Sequence, residues 1–262
     1  MNHLTLIEKL YKEREKIAML TCYEASLAYV MSEAGLDALL VGDSLGMVVQ
    51  GHQTTLPVTL EQMAYHTACV ARAMTKPLLI VDLPFATYQT GPKEAFQNAA
   101  HLMQHGAHMV KLEGGSVMAT TIEFLVERGI PVCGHIGLIP QSVFQLGGYR
   151  LQGKDSHTAS QLLEDAKAIA RAGASMIVLE AIPAKLAARI TESVNVPTIG
   201  IGAGPYCSGQ VLVMHDALGI STHTPKFAKN FLAENATILE AIKTYVSAVK
   251  AGTFPDSTHY WE

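Results

Sequence analysis

The sequence predicts an α/β fold, a (β/α)8 TIM barrel with a C-terminal helical extension. Three observations point there. Short apolar runs alternate with amphipathic helical stretches, glycines stand where the helices end, and the runs number eight. The 262 residues match the length of about 250 that such a barrel needs as a single domain. An open doubly wound sheet is the rival closure.

The strand candidates are 17–22, 38–42, 78–82, 108–113, 131–135, 175–180, 197–201 and 211–215. They are apolar at consecutive positions, as expected of parallel strands covered on both faces. Gly35, Gly106, Gly129 and Gly173 each precede one of these runs, where a left-handed cap ends a helix. At helix starts, Thr59 with Gln62 and Thr158 with Gln161 fit capping boxes, and Pro92 and Pro183 fit the first helical position. Helices are expected over 92–105, 160–172 and 184–194; in the first, Ala95, Phe96, Ala99, Leu102 and Met103 share a face. The segment 136–157 carries Gly137, Pro140, Gly147, Gly148 and Gly153. It is expected to be an irregular active-site loop or lid. Residues 226–251 are predicted as a helix packing on the barrel or on a neighbouring subunit.

Composition narrows the function classes. Hydrophobic residues make up 49% and charged residues 16%, which suits a large core and not a disordered chain. A net charge of -4 with scattered Lys and Arg gives no footprint for nucleic acid or an anionic membrane. No apolar run approaches the roughly 20 residues of a spanning helix. The early charges Glu8, Lys9, Lys12, Glu13, Arg14, Glu15 and Lys16 are unlike a signal peptide. A soluble cytoplasmic protein is expected. Cys22, Cys69, Cys133 and Cys207 show no metal-type spacing and read as small buried hydrophobes.

In a barrel, chemistry comes from the C-terminal ends of the strands. Those ends carry Asp43 and Ser44, Asp82, Lys111 with Glu113, His135, and Glu180. Carboxylates ending apolar strands are costly unless paired or metal-bound, and magnesium is the economical explanation. Each residue also has a structural reading. Asp43, Asp82 and Glu180 suit turns or caps, Glu113 suits an ion pair with Lys111 on the same strand face, and His135 suits a hydrogen-bonded core. Their convergence on one rim favours a site. The Gly-rich run from Gly200 to Gly204 suits either a phosphate loop or close backbone packing.

These segments resemble one family. Val41-Gly42-Asp43-Ser44-Leu45-Gly46-Met47, continuing through Gly51-His52 to Thr54-Thr55-Leu56-Pro57-Val58-Thr59, is similar to the ketopantoate hydroxymethyltransferases. So are Asp82-Leu83-Pro84-Phe85, Val110-Lys111-Leu112-Glu113-Gly114-Gly115, Gly134-His135-Ile136-Gly137, Pro140-Gln141-Ser142, Gly147-Gly148-Tyr149 and Ile199 to Gly204. The likeness runs in order from about Thr21 to Phe231.

The resemblance implies a barrel of the phosphoenolpyruvate mutase and isocitrate lyase type. It implies transfer of a one-carbon unit from 5,10-methylenetetrahydrofolate to 3-methyl-2-oxobutanoate, through an enolate, with one Mg2+ per subunit. By the same likeness Asp43, Asp82 and Glu113 are the metal ligands. Asp43, Ser44, Asp82 and Lys111 bind the oxo acid, Glu180 is the base, and His135 lies near the site. A homo-oligomer, a decamer, is implied, acting on small molecules without nucleic acid or membrane. Two places depart from the pattern: Ser208 stands where Asp is usual, and Ser221-Thr222-His223-Thr224 is atypical. Rival readings are a related magnesium-dependent lyase or mutase, a phosphate-binding barrel isomerase, and a non-catalytic barrel.

Overall fold

Eight strands, all hydrogen-bonded in parallel and in sequence order, close into a barrel in the computed structural model, which describes residues 3–262. Met1 and Asn2 lie outside the described residues. The strands are β1 (Ile17–Thr21), β2 (Ala38–Val41), β3 (Leu78–Asp82), β4 (Met109–Glu113), β5 (Val132–Gly137), β6 (Met176–Glu180), β7 (Thr198–Ile201) and β8 (Gly209–Leu212). Closure pairs β1 with β8 and removes the open-sheet alternative.

The first seven strands fall within two residues of the predicted apolar runs, β5 running on to Gly137. β8 starts two residues early and stops at Leu212, because Gly209 and Gln210 pair with β7 while Met214 already opens a short helix.

Alternation of side chains sorts the apolar residues into two layers. Ile17, Met19, Leu40, Leu78, Ile80, Met109, Cys133, Met176, Val178, Ile199 and Val211 fill the barrel interior. Their neighbours Ala18, Leu39, Leu79, Val110, Ile177 and Leu179 face the helices. Helix α1 (His3–Lys12) packs Ile7 and Leu10 into the interior layer. Going up β4, Met109, Lys111 and Glu113 share the inward face, so the lining turns from apolar to charged at the C-terminal rim.

The flanking helices are α2 (Ala25–Ala34), the short α3 (Leu45–Val48), α4 (Leu60–Ala73), α5 (Pro92–Gln104), α6 (Ala119–Val126), α7 (Ser156–Arg171), α8 (Ala184–Ser193), the short α9 (Met214–Ala217) and α10 (Ile238–Lys250). The four glycines expected at helix ends all have positive φ, from 83° to 109°. Thr59 and Gln62 form the expected capping box. The second box is corrected: Asp155 caps α7, accepting from the amides of His157 and Thr158 at 3.0 and 2.9 Å. A carboxylate with two acceptor oxygens outcompetes the Thr158 hydroxyl, which turns to donate to Asp155. Pro183 is the N-cap of α8, one residue outside the expected position.

The C-terminal helix is shorter than 226–251. It begins after Thr237, whose capping box with Glu240 fixes the start; Asn230 instead caps a 3-10 turn over Leu232–Glu234. Helix α10 packs on α2 and β1. The Tyr245 hydroxyl lies 2.9 Å from the carbonyl of Met19 and 3.1 Å from that of Gln210, and Lys250 pairs with Asp37 at 2.7 Å. Among the described residues, no helix is long and apolar enough to cross a membrane. Cys22, Cys133 and Cys207 are buried, and Cys69 is half-buried on α4.

Candidate active site

Strand register builds the site. Asp82 at the end of β3 pairs with Lys111 on β4, Glu113 pairs with His135 on β5, and Gly137 pairs with Glu180 on β6. The pairs β3–β4 and β4–β5 therefore carry ionisable groups at matching heights, while Glu180 stands one inward position above Val178, the partner of His135, opposite Gly137. Asp43, Ser44, Asp82, Lys111, Glu113, His135 and Glu180 all line one cavity of 970 Å³ at this rim. The sequence-predicted set is thus brought together.

The pairing differs from expectation in one respect. The amine of Lys111 lies 3.1 Å from Oδ1 of Asp82, across strands, and its ion pair is not with Glu113. Glu113 turns to His135, whose Nδ1 is 3.4 Å from Oε1, and accepts the Gln141 amide at 2.9 Å. The other imidazole nitrogen lies 3.2 Å from Oε2 of Glu180. His135 therefore bridges two carboxylates on adjacent strands, while Lys111 approaches its Nδ1 at 3.2 Å.

Backbone shape makes room for this. At Gly137, with φ of 97°, a Cβ would meet the Glu180 carbonyl at 2.2 Å. Only glycine fits beside the strand end that carries Glu180. At Gly42 a Cβ would press on Ser44 Oγ at 2.8 Å and touch Asp82 Oδ2 at 3.5 Å. Asp82 uses the space to accept the Asp43 amide at 3.0 Å.

Burial and charge set the protonation preferences. Burial raises the Asp43 carboxyl well above its ordinary value, and the nearby Asp82 and Glu113 raise it further. Burial also raises Asp82, against the opposing pull of Lys111. Burial would lower Lys111, yet Asp82, Glu113 and Asp43 outweigh it and hold the ammonium charged. Glu113 lies below the ordinary range: burial opposes this, but the His135 hydrogen bond and the charges of His135 and Lys111 prevail. His135 is raised by its two carboxylates against burial and Lys111.

Sequence reasoning missed a supporting layer centred on Gln141. The side-chain nitrogen donates to Asp43 Oδ2 and to the Leu83 carbonyl, both at 2.9 Å. Its oxygen accepts from the Tyr88 hydroxyl at 2.6 Å and from Gln89 at 3.2 Å. All four hydrogen-bonding positions of the amide are used. Tyr88 in turn accepts the Glu113 amide at 3.1 Å. The family-like run Pro140-Gln141-Ser142 carried the signal, but spacing alone cannot show that its glutamine enters the site. The 136–157 segment is partly ordered: β5 extends to Gly137, and a 3-10 turn spans Pro140–Ser142. Beyond them Tyr149, Arg150 and Leu151 reach the cavity wall.

The other glycine-rich feature is closely packed. A Cβ at Gly202 would meet Phe227 and Trp261, and one at Gly204 would meet Ala184. Of the two departures, Ser208 exchanges hydrogen bonds with Thr198 at the opposite end of the barrel. Ser221, however, lines the cavity and donates to Asp216 at 2.5 Å.

Among the described residues, no group of three or more His, Cys, Asp or Glu side chains closes on one ion. The donors still fit a hard cation held by one or two carboxylates, with water and substrate oxygens completing its shell. Asp82 Oδ1 is buried and makes no hydrogen bond, only the ion pair with Lys111. Beside it Asp43 sits in a surplus of negative charge.

Comparison with known proteins agrees with this architecture. Among solved structures, phosphonopyruvate hydrolase in complex with oxalate and magnesium superposes with a TM-score of 0.64 at 11% identity, covering 84% of each chain. A 2,3-dimethylmalate lyase, described as a member of the phosphoenolpyruvate mutase/isocitrate lyase superfamily, gives 0.62 at 18% identity, covering 84% of this chain and 83% of its own. These likenesses concern the fold. Much nearer in sequence are proteins named 3-methyl-2-oxobutanoate hydroxymethyltransferase. That of Thiobacillus denitrificans is 56% identical over 98% of each chain, and that of Methylobacillus flagellatus 55% identical over the full length of both. The family model described as ketopantoate hydroxymethyltransferase matches residues 2–257. The chain belongs to the ketopantoate hydroxymethyltransferase family.

Proposed function

We propose that this chain transfers a hydroxymethyl group from 5,10-methylenetetrahydrofolate to 3-methyl-2-oxobutanoate. Water supplies the hydroxyl, and the products are ketopantoate, the pantothenate precursor, and tetrahydrofolate. The observation that carries the reading is one buried rim holding Lys111 against Asp82 and Glu180 against His135, in a chain of this family. A magnesium ion held by Asp43 and Asp82, with Glu113 behind them, would act as a Lewis acid that favours enolate formation.

The residues themselves divide the work. Lys111, kept charged by its carboxylate neighbours, offsets the negative charge of the oxo acid and of the enolate that follows. Ser44, whose hydroxyl is 2.9 Å from that of Tyr23, offers the substrate a held hydrogen-bonding group. Glu180, with a side chain 14% exposed on the cavity wall, takes the C3 proton. His135 orients that carboxylate. The enolate carbon then attacks the donor's methylene group. The barrel works as a homo-oligomer in the cytoplasm, a decamer by family likeness. Exposed Tyr29 on α2 and Tyr65 on α4, at 61% and 67%, suit subunit contact.

The test is product formation. Purified protein with 3-methyl-2-oxobutanoate, 5,10-methylenetetrahydrofolate and magnesium should yield ketopantoate. Cleavage of a carbon–carbon bond in another oxo acid, with no ketopantoate formed, would transfer the assignment to the lyase reading.

A further inference from the structure

The cavity is larger than the oxo acid needs. A small branched oxo acid fills a minor part of 970 Å³, a volume at the upper end of sites for drug-sized ligands, about 300–1,000 Å³. The residues assigned to the oxo acid and base sit on β2 to β6. In the closed barrel β8 lies opposite β4, and the wall on the β8 side carries a different chemistry.

That side holds Asp216, in α9, with a residue exposure of 7%. Its carboxylate receives the Ser221 hydroxyl at 2.5 Å. Among the described residues no Lys, Arg or His forms an ion pair with it. A mostly buried carboxylate without a cation is costly unless a ligand brings donors. Next to it the Nδ1 atom of His215 is buried and has no hydrogen bond. Leu212, Val213, Phe227 and Trp261 supply apolar lining to the same cavity, beside the polar Thr222, His223 and Lys226. The His215 ring lies 5.7 Å from that of Tyr23, whose hydroxyl is bonded to Ser44. The two sides of the cavity are therefore one side chain apart.

We propose that Asp216 is the carboxylate that recognises the pterin ring of the one-carbon donor, with His215 beside it and the apolar lining covering the ring face. This rests on the folate reading above. A 2-amino-4-oxopteridine presents its N3–H and one 2-amino N–H in parallel, and the two oxygens of a carboxylate accept them side by side, as they accept an arginine fork. His215 lines the cavity beside this carboxylate.

The test combines steady-state kinetics with a pair of inhibitors. In Asp216→Asn the KM for 5,10-methylenetetrahydrofolate should rise about 10- to 100-fold, the loss expected for a hydrogen bond to a charged group. The KM for the oxo acid should rise far less. Tetrahydrofolate should inhibit the unaltered protein better than its 2-desamino-2-methyl analogue by a similar factor, and Asp216→Asn should lose that preference. Equal inhibition of the unaltered protein by the two compounds would overturn the proposal, and needs no variant to fold. So would an Asp216→Asn protein that keeps both its KM and its preference. If the unaltered protein exchanges the C3 proton but never turns over with 5,10-methylenetetrahydrofolate, the donor reading itself fails, and this assignment with it.

Discussion

Gln141 donates one side-chain nitrogen to both Asp43 Oδ2 and the Leu83 carbonyl, while its backbone amide binds Glu113. One residue from the loop after β5 thus fixes two rim carboxylates that lie on β4 and just beyond β2. Replacing it by Leu should remove that support without touching substrate directly. Outer-shell partners of this kind are worth about 10- to 100-fold in metal affinity or activity. The apparent magnesium affinity of Gln141→Leu, followed by thermal shift as well as turnover, should weaken by that order. Unchanged magnesium affinity would reduce Gln141 to a loop-packing residue.

Lys111 is buried among three carboxylates, so removing its charge leaves Asp82 without its ion-pair partner. Breaking a buried pair from one side costs about 3–5 kcal/mol. Lys111→Met should therefore lower the urea midpoint markedly, and turnover with it. A variant as stable as the parent would contradict the pairing.

A separate pH effect belongs to the far end of the barrel. His108 stacks on His3 with ring centroids 4.1 Å apart and accepts the Leu79 amide on Nδ1 at 3.0 Å. Burial, aided by His3, lowers its pKa from 6.5 to about 4. The unfolded chain then binds the proton more readily than the fold does. Stability should be full above pH 6.5 and decline as pH falls towards about 4. His108 is partly solvated, which reduces the amplitude. Substituting Gln should flatten the slope of Tm against pH over that window, and an unchanged slope would place the titration elsewhere.

The sequence made the barrel legible because each βα unit carries its own local signals: an apolar run, a capping residue, a terminal glycine. The site was legible for a geometric reason, since strand ends on one rim converge whatever the loops do. Partners across strands were not. Lys111 and Glu113 share a strand face, but register puts Asp82 nearer to Lys111 and His135 nearer to Glu113. Gln141, Tyr88 and Asp216 lie in loops or short helices, where no periodicity announces which way a side chain turns. The capping of α7 failed for a similar reason, because Asp155 and Thr158 are both plausible caps and only geometry chooses.

His135 stands between Glu113 and Glu180, which holds the Glu180 carboxylate, the base we propose, against the imidazole. In His135→Asn, turnover should fall about 10- to 100-fold, and the acid limb of the pH–rate profile should move. Loss of activity with an unmoved profile would make His135 a packing residue alone.

Removal of the C3 proton is the step we assign to Glu180. Deuterium loss from C3-labelled 3-methyl-2-oxobutanoate, with magnesium and without folate, measures that step alone. The unaltered protein should exchange, and Glu180→Gln should exchange about 10²- to 10⁴-fold more slowly. Exchange in Glu180→Gln at the unaltered rate would assign the base to another group.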